Sequence, residues 1–222
     1  MPFAYHLLRA IVGLILGLIA RFEVIGQDNL PPAGPLILAT NHIHILDPPA
    51  LMLASPWPVT AFAARKWSRH FWGLFLRATG AIFVNRGTVD RQALRDALAV
   101  LRRGGVLGLA PEGTRSKTSR LQPARPGVAF LAHLAGVPIL PVAVTGTEQV
   151  FPALLRLSRA RVQVAFGQPF MLPAIEGKPT AEVLRQHADL VMHRIAELLP
   201  PEYRGAYAAA DVVVRGAPAP QG

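Results

Sequence analysis

Residues 35–54 read PLILATNHIHILDPPALMLA, and the change of character within them decides the fold class. Residues 35–39 are a short apolar run with the length and composition of a buried strand. A polar stretch, Asn41-His42-Ile43-His44, breaks that run. Pro48-Pro49 then opens a helical pattern over residues 48–54, because proline suits the first turn of a helix and disfavours helical geometry at the residue before it. Strand, polar turn and helix in quick succession predict a layered α/β fold.

The alternation continues down the chain. Apolar runs at residues 59–63, 81–84, 106–109, 139–144 and 162–166 predict further strands, and helical patterns occupy 67–78, 90–103, 128–135 and 180–199. The expected architecture is a single layered α/β domain over residues 23–207, with a mixed, largely buried β-sheet flanked by helices. At 222 residues, 51% of them hydrophobic, the chain can bury one full core. Residues 208–222, rich in Ala, Pro and Gly, are expected to form a flexible tail.

Ahead of the domain, residues 10–20 are uninterruptedly apolar between Arg9 and Arg21. At ~1.5 Å per residue such a run falls short of a ~30 Å hydrocarbon core. No small-x-small cleavage pattern precedes Arg21, so residues 1–22 are expected to be an uncleaved, membrane-associated helix lying in one leaflet. Gly13 and Gly17 form a small-xxx-small pair that would let another helix approach.

The net charge of +10 is concentrated: residues 60–125 carry 13 Lys or Arg against Asp90, Asp96 and Glu112, an excess that accounts for all of it. Such a block attracts polyanions. Trp67, Phe71, Trp72, Leu74, Phe75 and Leu76 interleave it, without a zinc-finger or RNA-binding signature. The expected partner is therefore an anionic membrane surface and not nucleic acid. Arg91, Arg95, Arg102 and Arg103 are expected on the solvated face of a helix. The absence of cysteine excludes a disulfide framework, a thiolate nucleophile and cysteine-ligated metals. No His, Asp or Glu set has metal-ligand spacing, so no metal is expected.

Two polar clusters carry the chemistry. In the first, five helical positions would leave His42 and Asp47 ~140° apart, so the pair can meet only across a turn. A histidine oriented and charged by a carboxylate is a general base. By residue chemistry alone Asp47 is more often the N-cap of the helix at Pro48, and His44 competes with His42 as the base. In the second cluster, Pro111-Glu112-Gly113-Thr114-Arg115-Ser116 follows the run at 106–109. It would lie at the carboxyl end of a strand, where α/β folds bind ligands. Gly113 permits a tight backbone, Thr114 and Ser116 supply hydroxyls, and Arg115 can grip a phosphate with two donors. An ordinary polar turn is the plain alternative. Gly80-Ala81-Ile82-Phe83-Val84-Asn85-Arg86 ends another strand in arginine.

The order and spelling of these motifs, together with Val137-Pro138-Ile139-Leu140-Pro141-Val142, resemble the glycerolipid acyltransferase family in its 1-acylglycerol-3-phosphate acyltransferase branch, over about residues 23–170. The resemblance implies that His42 is the base and that Asp47 orients and charges it. It implies that Arg86, Glu112, Gly113, Thr114 and Arg115 bind a glycerol phosphate head group, with Asn41, Ser116 and Pro138 in support. The implied reaction moves an acyl group from a thioester, on coenzyme A or acyl carrier protein, to the hydroxyl of a lysophospholipid. The default acceptor is 1-acylglycerol-3-phosphate, giving phosphatidic acid, and lyso-ornithine lipid is the alternative. No cofactor beyond the thioester is implied, and acyl carrier protein is a partner to consider. The implied location is monotopic or peripheral, with the active site facing the cytoplasm.

The sequence departs from the family pattern twice. His44 stands where a small polar residue such as Ser is usual, and Arg125-Pro126 replaces a segment before Gly127 that often carries Lys. The lack of a cysteine and of a Gly-x-Ser-x-Gly elbow agrees with direct transfer and no acyl-enzyme. The rival readings are a serine hydrolase using a residue such as Ser116, and a lipid-binding protein without catalysis.

Overall fold

A computed structural model describes residues 3–69, 71–85 and 90–208. In chain order its helices are α1 (Phe3–Ile19), α2 (Asp47–Ala54), α3 (Phe71–Ala78), α4 (Arg91–Arg102), α5 (Gly127–Ala135), α6 (Val150–Leu155) and α7 (Ala181–Glu197). Its strands are β1 (Ala20–Ile25), β2 (Leu36–Thr40), β3 (Val59–Ala64), β4 (Ile82–Val84), β5 (Val106–Leu109), β6 (Ile139–Thr145) and β7 (Ala160–Phe166). The strands form one sheet in the order β1-β7-β6-β2-β5-β3-β4. Every neighbouring pair is parallel except β6 and β7, so the sheet is mixed, as the sequence led us to expect.

β2 is buried along its whole length, because helices cover both faces of the sheet. Its side chains alternate between two cores. Leu36 and Leu38 meet Ala50 and Leu51 of α2 and Val150 of α6 on one face. Ile37 and Ala39 join Ala97 and Leu101 of α4, Val128 of α5 and Val191 of α7 on the other. The middle of the sheet is thus rigid, and the loops leaving β2, β5 and β6 at their carboxyl ends are held in a fixed relation.

Three elements differ from the sequence reading. The helix expected over 1–22 ends at Ile19, and Ala20 already pairs with Ala160 as the first residue of β1. Apolar continuity does not separate helix from strand here. The separating interaction comes from far along the chain, where Arg159 Nη2 donates to the carbonyls of Gly17 and Ala20. The helix expected over 67–78 is divided into a 3-10 turn, Arg65–Arg69, and α3. Gly73 explains the close fold-back, since a Cβ there would lie 2.6 Å from the Ser68 carbonyl oxygen. α6 is too short to show a helical period and was not foreseen.

α1 docks on the domain by Tyr5 and Leu16, which are buried, and by a bond from Arg9 Nη2 to Leu53 O at 3.0 Å. Its other face, Leu7, Ile11, Leu14, Ile15 and Leu18, is between 47% and 68% exposed. Among the described residues no helix is long and apolar enough to cross a membrane.

α5 and α7 meet at His133 and His187, whose Nε2 and Nδ1 lie 2.7 Å apart. Burial holds both rings below their ordinary value of 6.5, and His133 adds to the effect on His187. Burial does the same to His44. Between these depressed values and 6.5 the unfolded chain binds more protons than the folded one. The stability these groups confer is therefore complete above 6.5 and is lost as pH falls below it. Thermal melts from pH 8 to pH 5 are expected to show a falling midpoint below about 6.5, with a shallower fall in a His187→Gln variant. A midpoint with equal slope in both proteins would remove the helix-pair histidines from this account.

Candidate active site

The polar residues after β2, β5 and β6 gather at one edge of the sheet. Beyond the last paired residue of β2, Asn41 prolongs the ladder with its side chain. Its Nδ2 donates to Val144 O, and its Oδ1 accepts from Val144 N, both at 2.8 Å. Asn41 is fully buried, so these bonds fix the start of the next turn against β6.

That turn brings His42 Nδ1 to 2.8 Å from Asp47 Oδ2. Asp47 N donates to His44 O at 3.3 Å, folding the chain back before Pro48 and Pro49 set the helix. Asp47 is the first residue of α2, and the N-cap is Leu46 with no side-chain cap bond. The N-cap alternative therefore does not hold. The Asp47 carboxylate instead accepts from Ile43 N and His44 N at Oδ2, each at 2.7 Å, and from Thr147 Oγ1 at Oδ1, at 2.5 Å. The two backbone N–H groups and the Thr147 hydroxyl all donate to this 3%-exposed side chain, so both of its oxygens are satisfied. With Nδ1 donating to Asp47, the lone pair of His42 sits on Nε2, which has no hydrogen-bond partner among the described residues.

The second cluster is bonded to the first. Glu112, 2% exposed, accepts from His42 N at Oε1 (3.1 Å) and from Gln122 N and Nε2 at Oε2 (3.2 and 3.3 Å). Ser116 N donates to His42 O at 2.7 Å. Both peptide groups of His42 are thus held by the loop after β5. Burial pushes the Glu112 carboxyl above its usual range, against the pull of the His42 and Gln122 N–H groups. Gly113 is left-handed at φ 69°, and a Cβ there would meet Arg125 Cδ at 2.7 Å. Arg125 therefore lies across the loop, and its N donates to Pro111 O at 2.8 Å. Arg115 is exposed, and its charge reaches His44, where it adds to burial in opposing protonation of the ring.

His44 points elsewhere. Its ring stands edge-on to Phe151 at 5.4 Å, and its Nδ1 is buried without a partner. Of the two histidines that residue chemistry left open, only His42 has a carboxylate on its ring.

A family model described as Acyltransferase matches residues 21–145, more than half of the chain and all of the strands that build this site. The chain belongs to the acyltransferase family. A 1-acyl-sn-glycerol-3-phosphate acyltransferase of Borreliella burgdorferi is 30% identical over 152 residues, which are 67% of this chain and 61% of that protein. One from Bacillus subtilis is 24% identical over 190 residues, 83% of this chain and 92% of that one. The crystal structure of the 1-acyl-sn-glycerophosphate (LPA) acyltransferase of Thermotoga maritima shares the fold at a TM-score of 0.67, with 22% identity, covering 87% of this chain and 79% of that one.

Within this acyltransferase-family domain the structure brings together Asn41, His42, Asp47, Glu112, Gly113, Arg115 and Ser116, with Thr114 between its neighbours in the same loop. It does not bring in Pro138. Pro138 precedes β6, and its carbonyl accepts from Ile37 N at the strands' amino ends, ~20 Å along β6 from the site. Arg86 lies outside the described residues. The Ser116 hydroxyl donates to Arg120 O at 2.7 Å and accepts from Thr118 N, which commits it to its own loop. Thr147 and Gln122 were not foreseen. The signal for Thr147 was available, since Thr145-Gly146-Thr147 follows an apolar run as the two recognised clusters do.

Proposed function

We propose that this chain transfers an acyl group from a thioester, on coenzyme A or acyl carrier protein, to the hydroxyl of a lysophospholipid. The acceptor we assign is 1-acylglycerol-3-phosphate and the product phosphatidic acid. The observation that carries the reading is the His42–Asp47 contact of 2.8 Å at the end of β2, with Nε2 left for an incoming hydroxyl. His42 Nε2 takes the hydroxyl proton as the oxygen attacks the thioester carbonyl. Asp47 stabilises the imidazolium. The C–S bond then breaks, and the imidazolium returns the proton to the leaving thiolate. As balanced, the step asks for no further cofactor.

In this reading Glu112 is a positioning residue, because both of its oxygens are occupied by His42 and Gln122. Arg115, with Arg86, binds the phosphate. The exposed apolar face of α1 lies in one leaflet and holds the domain where lysolipid is found. The bond of the Ser116 hydroxyl to Arg120 O supports transfer over a serine hydrolase built on that residue.

The test is mass spectrometry of lipids after the purified chain meets acyl thioester and a panel of lysolipids. Phosphatidic acid is expected. Release of free fatty acid without acceptor would favour hydrolysis, and a preference for lyso-ornithine lipid would change the acceptor. Arg115→Lys is expected to raise the apparent KM for lysophosphatidic acid about tenfold while keeping the charge, because lysine lacks the two-donor fork. An effect confined to the thioester KM would reassign Arg115 to the donor.

A further inference from the structure

The two helical layers turn different chemistry to the outside. α4 and α7 show Arg91, Arg95, Arg102, Glu182 and Arg185 to solvent. The layer of α1 and α6 shows leucines and isoleucines, more of them than the opposite layer, where Phe130 and Leu134 of α5 are exposed. The most exposed of them are not on α1 but at the end of α6, where Leu155 is 88% and Leu157 98% exposed. Leu157 also sits at φ 53°, a left-handed conformation that a side chain with a Cβ disfavours. The turn that imposes it is closed by Leu157 N to Leu154 O at 3.0 Å and Ser158 N to Ala153 O at 2.9 Å. The fold thus holds a bulky apolar side chain outward in a position where glycine would be easier.

Two connections give this turn a context. Arg159 donates to the carbonyls of Gly17 and Ala20, which ties the turn to the end of α1, beside Leu14 and Leu18, 66% and 68% exposed. At the other end of α6, Phe151 packs on His44, two residues from His42, and Thr147 bonds Asp47. Residues 149–175 contain Arg156 and Arg159, with Arg161 paired to Glu23 at 2.7 Å, and no acidic residue. Isolated exposed leucines are ordinary, but a contiguous apolar cluster with a basic rim marks an interaction surface. A second copy placed there would bring Arg156 and Arg159 against their own kind. An anionic leaflet complements them.

We propose that Leu155, Arg156 and Leu157 form a second membrane-inserting element, which with α1 fixes the tilt of the domain and lets the acceptor pass from the leaflet beside Phe151 to His42. The acceptor's route rests on the acyltransferase reading above; the insertion itself does not.

The chain has no cysteine, so single labelling sites can be introduced without other changes. Full-length Leu157→Cys and Arg185→Cys, each carrying an environment-sensitive nitrobenzoxadiazole dye, are mixed with phosphatidylcholine–phosphatidylglycerol vesicles. The dye at 157 is expected to brighten and shift to the blue, and the dye at 185 to stay unchanged. No change at 157 on protein that co-sediments with the vesicles would overturn the insertion. In a Leu155→Ser/Leu157→Gly variant, glycine relaxes the left-handed residue, and the melting temperature reports that the fold is kept. Vesicle partitioning is expected to weaken about tenfold, and the apparent KM for long-chain lysophosphatidic acid in vesicles to rise about as much, with kcat on a water-soluble short-chain acceptor unchanged. Equal partitioning and KM in the two proteins would sink the proposal, as would a concentration-dependent dimer that the double variant abolishes. Failure of the wild type to acylate lysophosphatidic acid in either soluble or vesicle form would reject the proposed acceptor while leaving the dye result to decide insertion.

Discussion

Replacing His42 with alanine is expected to lower kcat by about 10²- to 10⁴-fold, the usual cost of removing a positioned base, with the fold retained. The fold should survive because the bonds that seat residue 42 run through its peptide groups, from His42 N to Glu112 and from Ser116 N to His42 O. Alanine keeps both. His44→Ala is the necessary comparison, because the two histidines are two residues apart. The His44 ring packs on Phe151, and its Nδ1 is enclosed without a partner. Its loss is expected to change kcat only a few-fold, through packing. Burial, the main influence on His44, disfavours its protonated form and so unsuits it to cycle through an imidazolium. If kcat on lysophosphatidic acid survived in His42→Ala within tenfold and collapsed in His44→Ala, the base would have been assigned to the wrong ring.

Residue chemistry alone leaves this pair open, with Asp47 as an N-cap and His44 as a rival base; the family resemblance selects it, and the prolines only supply the turn it needs. Pro48-Pro49 sets where α2 begins, and a regular helix would have separated His42 from Asp47. The polar cluster Thr145-Gly146-Thr147 is visible in the sequence, but not that its last hydroxyl bonds this carboxylate. Thr147 is 100 residues from Asp47 and reaches it only because β6 lies beside β2 in the sheet. The same limit applies to Glu112. A carboxylate in a polar loop reads as a ligand-binding group, and only the packing of β5 against β2 turns it inward onto His42 and Gln122. The central strands were legible because burial on both faces writes them as unbroken apolar runs. β1 was not. Ala20 continues the apolar run of α1, Arg21 and Glu23 then interrupt it within a six-residue segment, and the partner that makes Ala20 to Ile25 a strand, β7, is formed by residues 160–166. Pro138 shows the converse limit, since membership of a motif placed it near the site in sequence, whereas strand direction puts it at the opposite end of the sheet.

Asp47→Asn is expected to lower kcat by about 10²-fold or more while leaving KM and the fold nearly unchanged, and the hydrogen bonds say why. Three N–H donors converge on Oδ2, and a hydroxyl approaches Oδ1. An asparagine can place its carbonyl oxygen where Oδ2 was and keep all three N–H bonds. Its NH2 then faces Thr147 Oγ1, which as a hydroxyl can accept instead of donate. The His42 ring therefore stays oriented with its lone pair on Nε2. What disappears is the negative charge that favours the imidazolium, the form through which the proton passes. Thr147→Val gives the opposite separation. It keeps the charge and strips one bond from a buried carboxylate oxygen, at a cost of about 1–3 kcal/mol in stability and with a smaller fall in kcat. Denaturant unfolding and steady-state kinetics on both variants distinguish the two roles. An Asp47→Asn protein that turned over at the wild-type rate would show that this carboxylate serves only to shape the turn, and the general-base mechanism would lose its charge partner.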